Sequence, residues 1–189
     1  GSLQQQIEQG APVDLFISAA NKQMDALEKQ NLLAPGTRKI LVRNQLVLIT
    51  PKNETGIQKF VDLTQPSASK IALGEPKSVP AGQYGAEVLK FYNLLEVLKP
   101  KIVYAKDVRQ VLTYVETGNV SAGLVYATDA KTSQKVRIVA TAPKESHAPI
   151  VYPMAILRNS KNMNAAQSFA QFLVSNSSKG VFNKYGFIF

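Results

Sequence analysis

No cysteine occurs among the 189 residues, histidine occurs once, and no stretch of about 18 consecutive apolar residues is present. Without cysteine there can be no disulfide, thiolate metal site or sulfur nucleophile, and the redox compartment stays open. The single histidine, His147, lies in the proline-flanked stretch PKESHAPI. No serine and carboxylate stand at the spacing of a known catalytic triad, so it reads as a surface or hinge-region side chain. Asp14, Glu75, Asp107 and Asp129 stand near expected strand or helix ends, where caps and turns account for them, and their spacing makes no cation site. The absent apolar run excludes a membrane-spanning helix. No basic-then-apolar leader opens the chain, which does not by itself place it in the cytoplasm.

What is present is the composition of an ordinary globular protein, 45% hydrophobic and 19% charged, able to bury a core in one domain or two small lobes. The 22 Lys+Arg against 13 Asp+Glu give a formal charge of +9, which favours anionic partners. Lysines recur singly, at Lys52, Lys59, Lys70, Lys77, Lys90, Lys99, Lys101 and Lys106, with no aromatic and basic interleaving that would stack bases. This pattern argues against nucleic acid.

Apolar runs of strand length alternate with helical periodicity. LQQQIEQG reads as a short helix stopped by Gly10, DLFISA as a buried strand, and NKQMDALEKQNLL as a helix with Met24 and Leu27 inward. KILVRNQLVLIT forms one strand or two, with a break near Asn44. IQKFVDL, AEVLKFYNLLEVL and VRQVLTYVE read as helices, and KIALGE, KIVYA, AGLVY, VRIVAT and APIVYPMAIL as strands. The chain closes with helices. Ala166, Phe169, Phe172 and Leu173 mark one face of the first, and Ser177 or Ser178 is placed to cap the last. The β-α alternation predicts an α/β fold with a mostly parallel, helix-covered sheet.

Ligands of such sheets bind beyond the carboxyl ends of the strands, where helix N-termini point. Three places there are informative. In SVPAGQYG, Pro80 suits the first helical position, which gives Ala81 a free backbone N–H, and Gly82 lets a ligand approach the backbone. After KIVYA, Asp107 and Gln110 make a capping-box pattern, leaving the Val108 N–H at the first helical position. Tyr126 ends the strand AGLVY, with its hydroxyl at the same edge. Each also has an ordinary structural explanation, as punctuation, cap or packing residue. Together they make a site of donors only, suited to a small anion.

These blocks resemble a known family. QQIEQGAPVDLFISA, GEPKSVPAGQYG, AKDVRQVLTYVETG, AGLVYATDA and the closing YGF are similar, in order and spacing, to the periplasmic molybdate-binding proteins of ABC transporters. The resemblance implies a two-lobed periplasmic-binding-protein fold of type II, not an enzyme. Such a protein is periplasmic or extracytoplasmic, closes on molybdate or tungstate, and delivers it to a membrane permease. Residues 1–44 and 148–189 would form the first lobe and 45–147 the second. The family's second-lobe donors fall on the Ala81 and Val108 amides and the Tyr126 hydroxyl.

Its two first-lobe ligands are serines in loops that this sequence does not contain, and Ser2, at a different offset, is the nearest candidate. The resemblance therefore implies an N-terminally truncated member with an incomplete first lobe. Losing both serines would remove about 3–10 kcal/mol of gross interaction, so weak binding is expected, as is dimerisation or strand swapping through an open sheet edge. A donor-only site would also reject phosphate, whose proton near neutral pH needs an acceptor, whereas sulfate would have to be excluded by size. Two alternatives are a ligand-sensing domain of a transcriptional regulator and, from another class, an enzyme acting on a small anion.

Overall fold

The computed structural model describes residues 2–189. Helix α1 (Ser2–Glu8) stops before Gly10, whose φ of 90° no helix continues. Strand β1 (Leu15–Ile17) leads into α2 (Asn21–Lys29), where Met24 and Leu27, one turn apart, are fully buried. The apolar run that follows breaks at Asn44 into β2 (Lys39–Arg43) and β3 (Leu46–Pro51), which belong to different sheets. The expected helix at IQKFVDL is only a 3-10 turn, Phe60–Thr64, held at its start by Asp62 accepting from the Gln58 and Lys59 amides at 3.0 Å each.

After β4 (Ile71–Gly74), one expected helix is two, α3 (Pro80–Phe91) and α4 (Leu95–Leu98). Asn93 breaks it with φ 57°, and the Leu94 and Asn93 amides bond back to the Leu89 and Lys90 carbonyls at 2.7 and 2.9 Å. That is a Schellman ending with Asn where glycine is commoner. The chain continues through β5 (Ile102–Ala105), α5 (Val108–Glu116), β6 (Ala122–Tyr126), α6 (Ala127–Lys131), β7 (Val136–Thr141), β8 (Val151–Ile156), α7 (Met163–Leu173) and α8 (Asn176–Lys184).

Contacts divide the chain into two units, one of the chain up to Arg43 with Ile150–Phe189, the other Asn44–Pro149. In the first, β8 lies between β1 and β2 and is antiparallel to both, with Phe16 opposite Ala155 and Ile40 opposite Pro153. Ile7, Phe16, Met24, Leu27, Leu33 and Leu157 form one cluster, and Leu41, Val42 and Met154 pack with Leu173, Phe182 and Phe187 in another. The expected inward face of α7 holds only in part. Ala166 is buried, but Phe169 and Phe172 stand exposed, stacked with ring centroids 6.3 Å apart. The cap of α8 is Ser175, which accepts from the Ser178 amide, while Ser178 is buried and donates to the Phe172 carbonyl at 2.7 Å.

The second unit is a five-stranded sheet in the order β5-β4-β6-β3-β7. Pairing is parallel for β4 with β5 and β6, and antiparallel for β3 with β6 and β7, so this sheet is mixed, and with the antiparallel first sheet the described sheets are not mostly parallel. Parallel pairing is confined to the segment where α3 and α5 supply the crossovers that it needs. Side chains alternate faces along a strand, and α3 and α5 take opposite ones. Gly85 of α3 lies against Leu73 and Leu124, whereas Val111 and Val115 of α5 lie against Gly123.

Candidate anion-binding site

The three parallel strands put three chain reversals side by side. Gly74 is paired with Ala105, and Ala72 with Gly123, so extending the register sets the ends of β5, β4 and β6 nearly level. Helix α3 leaves β4 on one face and α5 leaves β5 on the other, which is where a doubly wound sheet opens a crevice. Ala81, Val108 and Tyr126 each stand at one of these ends.

The start of α3 carries no side-chain cap. Val79, extended at φ −107° and ψ 116°, is the N-cap, with no capping hydrogen bond, and Pro80 follows at the first helical position. Helix geometry gives the first N–H groups no intrahelical acceptor, so the Ala81 amide is available to an external one. Ala81 is almost wholly buried, at 1% exposure, and places no side chain beyond its methyl at the helix end.

At α5 the cap is occupied. Asp107 Oδ1 accepts from the Gln110 amide at 2.7 Å, and Gln110 Oε1 accepts from the Lys106 amide at 2.8 Å. The reciprocal bond therefore falls one residue before the N-cap. Two donors are satisfied by this exchange, and the Val108 N–H, at the first helical position, takes no part in it.

Tyr126 is buried, at 5% exposure, and is the N-cap residue of α6. Three residues on, burial pushes the Asp129 carboxyl above the usual range, while the Tyr126 backbone N–H and the Arg109 charge pull it down. Asp129 Oδ2 is buried without a hydrogen-bond partner among the described residues. Asn44 Nδ2 donates to Thr128 Oγ1 at 2.9 Å, tying α6 to the residue where the unit begins. No motif announced either contact, because an acid or amide near a helix start reads first as a cap.

Other expectations are placed differently. The Ser2 side chain lies outside the described residues. Gly82 does not open the backbone to a ligand. It is buried against Gly74, and a Cβ on it would fall 2.0 Å from the Gly74 oxygen. His147 is half-buried, its ring edge-on to Tyr84 with centroids 5.8 Å apart and Nδ1 2.7 Å from the Ala148 carbonyl. Asp14 accepts from Ser160 Oγ and Asn162 Nδ2 at 2.7 and 3.1 Å, and these bonds hold its carboxyl below the usual range. It borders a cavity of about 530 Å³ in the first unit, floored by Ile7, Val13, Leu32 and Leu157. Glu8 and Asp14 line it beside the single cation Lys161, a balance that does not suit an anion. No cluster of acids and histidine that could hold a metal ion occurs among the described residues, and no helix there is long and apolar enough to cross a membrane.

A family profile described as bacterial extracellular solute-binding protein matches residues 1–188. The chain belongs to the bacterial extracellular solute-binding proteins. Among these solute-binding proteins it is 49% identical over 188 residues to a putative ABC transporter substrate-binding lipoprotein, YvgL, of Bacillus subtilis, covering 99% of this chain and 72% of that one. It is 41% identical over 190 residues to the molybdate-binding protein ModA of Haemophilus influenzae, covering 98% and 74%. The substrate binding domain of a putative molybdenum ABC transporter from Clostridium difficile superposes with a TM-score of 0.84 at 47% identity, over 100% of this chain and 82% of that one. The α/β fold is thus that of periplasmic binding proteins, and solute-binding proteins of this family capture rather than transform.

Proposed function

We propose that this solute-binding protein captures a tetrahedral oxyanion of the molybdate and tungstate class and delivers it to an ABC transporter permease outside the cytoplasm. The observation that carries the reading is the absence of a side-chain cap on α3, beside a capped α5 and a strand-end tyrosine on adjacent parallel strands. The Ala81 and Val108 amides and the Tyr126 hydroxyl then act as neutral donors to the anion oxygens. Helix dipoles add positive potential without a cationic side chain. The similarity to ModA of Haemophilus influenzae and to the Clostridium difficile domain supports the choice of anion.

Three hydrogen bonds to a charged group are worth about 5–9 kcal/mol gross. Ordering costs reduce this, so these donors alone support a dissociation constant of about 10 µM to 1 mM. Calorimetric titration with molybdate, tungstate, sulfate and phosphate tests the reading. Molybdate and tungstate should bind with one site per chain, and phosphate should bind more weakly, because its proton meets two amides that only donate and a phenol that must give up its own donation to accept. Equal affinity for all four would discard it.

Assembly forms part of the same reading. Strand β1 is an outer strand of its sheet and Ile17 on it is 40% exposed, which favours pairing with a second copy through that edge. A monomer mass by light scattering across the micromolar range would exclude that association.

A further inference from the structure

The Ala81 amide stands where it does because nothing separates α3 from the end of β4. Gly82 carries no side chain, and the backbone of its helix lies directly on the backbone of Gly74. A Cβ built on Gly82 would fall 2.0 Å from the Gly74 oxygen and 2.4 Å from its carbonyl carbon. Real Cβ contacts essentially never come under 3.0 Å, and here both partners are main chain, with no flexible side chain to give way. The seam is tight from the other side as well. A Cβ on Gly74 would lie 2.6 Å from Val79 Cγ1, 3.0 Å from Val79 Cβ and 3.2 Å from the Gly82 nitrogen. Gly85, one turn further along α3, is different in kind, since its Cβ would meet side-chain ends, Leu73 Cδ1 at 2.4 Å and Leu124 Cδ2 at 3.3 Å.

We propose that the backbone contact between Gly74 and Gly82 sets the position of the Ala81 donor, which makes both glycines positioning residues of the anion site. The inference rests on the reading of Ala81 as an anion donor. A methyl on Gly82 forces the start of α3 back by about 1 Å, the distance needed to bring 2.0 Å to the shortest contact seen in real structures. Ala81, the preceding residue, moves with it. A hydrogen bond lengthened by that much leaves the useful range, which ends near about 3.2 Å.

The test uses Gly82→Ala, Gly74→Ala and Gly85→Ala, each alone and the first two also with Val79→Ala. Molybdate affinity is measured by calorimetry, and melting temperature by circular dichroism. Gly82→Ala and Gly74→Ala should each weaken molybdate about 10- to 150-fold, the loss of one hydrogen bond to a charged group. Gly85→Ala should lower the melting temperature and leave affinity within about threefold, because the side chains it meets can move. Val79→Ala should restore most of the affinity lost by Gly74→Ala, whose nearest obstacle is a valine methyl. It should restore nothing to Gly82→Ala, whose obstacle is main chain.

Affinity that tracks melting temperature across all the variants would overturn the proposal, as would equal rescue of both double variants. If the unaltered protein takes up no molybdate, the anion reading fails. Crystal structures of the anion-free variants still decide the positioning claim. The distance between the Ala81 nitrogen and the Gly74 oxygen should grow by about 1 Å in Gly82→Ala and shrink back in Gly74→Ala/Val79→Ala relative to Gly74→Ala. An unmoved α3 refutes it. Should Gly82→Ala fail to fold, the Gly74→Ala pair carries both measurements.

Discussion

Val108→Pro deletes the one N–H of α5 that the proposed function assigns to the anion, and little else. Residue 107 is extended, at φ −158° and ψ 167°, the conformation that a following proline imposes. Residue 108 is the first of α5, where proline is favoured and where no intrahelical hydrogen bond is lost. Val108 is half-buried against the cluster that holds Val111 and Val115, and proline has a similar volume, so the packing change should cost under about 1 kcal/mol. The capping bonds between Asp107 and Gln110 and between Gln110 and Lys106 do not involve the 108 nitrogen.

Against that small structural change stands the loss of one hydrogen bond to a charged group, worth about 1.5–3 kcal/mol or a 10- to 150-fold fall in affinity. Val108→Ala supplies the comparison, since it keeps the N–H and removes the packing. Titration calorimetry with molybdate and urea denaturation of both variants separate the two effects. The proline variant should lose affinity and keep its stability, and the alanine variant should do the reverse. If Val108→Pro bound as tightly as the unaltered chain, the Val108 amide would not be a donor and the role assigned to α5 would be wrong.

Three more outcomes follow from the same site. Tyr126→Phe removes the hydroxyl proposed as a donor and should weaken molybdate by a similar 10- to 150-fold in calorimetry, so full retention would remove Tyr126 from the proposed ligand set. Asp107→Ala uncaps α5 and should cost about 1 kcal/mol in urea denaturation together with some affinity, because the Val108 N–H then sits on a frayed end. The Asp129 carboxyl is raised by burial, so the folded state favours its protonated form. Its contribution to stability is greatest below the unfolded carboxylate value and is lost as pH rises through the raised folded value. Asp129→Asn should therefore gain stability relative to the unaltered chain as pH rises above the unfolded carboxylate value in chemical denaturation, and a difference flat with pH would show that the charge is not buried as described.

The ease with which each element could be read depended on how local its cause is. Helix α5 begins and ends where VRQVLTYVE does because Asp107 caps one end and Gly118, at φ 70°, closes the other. Met24 and Leu27 are inward because a single turn separates them. The split of α3 from α4 was not legible, since Asn93 adopts a left-handed conformation that its sequence permits without requiring. Strand direction was hidden for the same reason. The sequence of β3 does not say that it lies between β6 and β7, antiparallel to both, and only the register reveals it. Phe169 and Phe172 satisfy the period of a buried face and are exposed nonetheless, because period marks which side chains share a face and not whether anything in the described chain covers it.

At the site, the places of Ala81 and Val108 at helix starts and of Tyr126 at a strand end could be read from the sequence, whereas the contact made by Gly82 could not. A glycine beside a helix start suits a close ligand and a close strand equally well, and only its distance from Gly74 tells them apart.

On the proposed function, the Ala81 and Val108 amides and the Tyr126 hydroxyl select a small dianion. The most direct test is calorimetric titration of the purified protein with molybdate and, separately, with phosphate at pH 7. One molybdate per chain, at about 10 µM to 1 mM, with phosphate at least tenfold weaker, is the predicted result. Phosphate binding as tightly as molybdate, or no heat with molybdate from a folded chain, would contradict it.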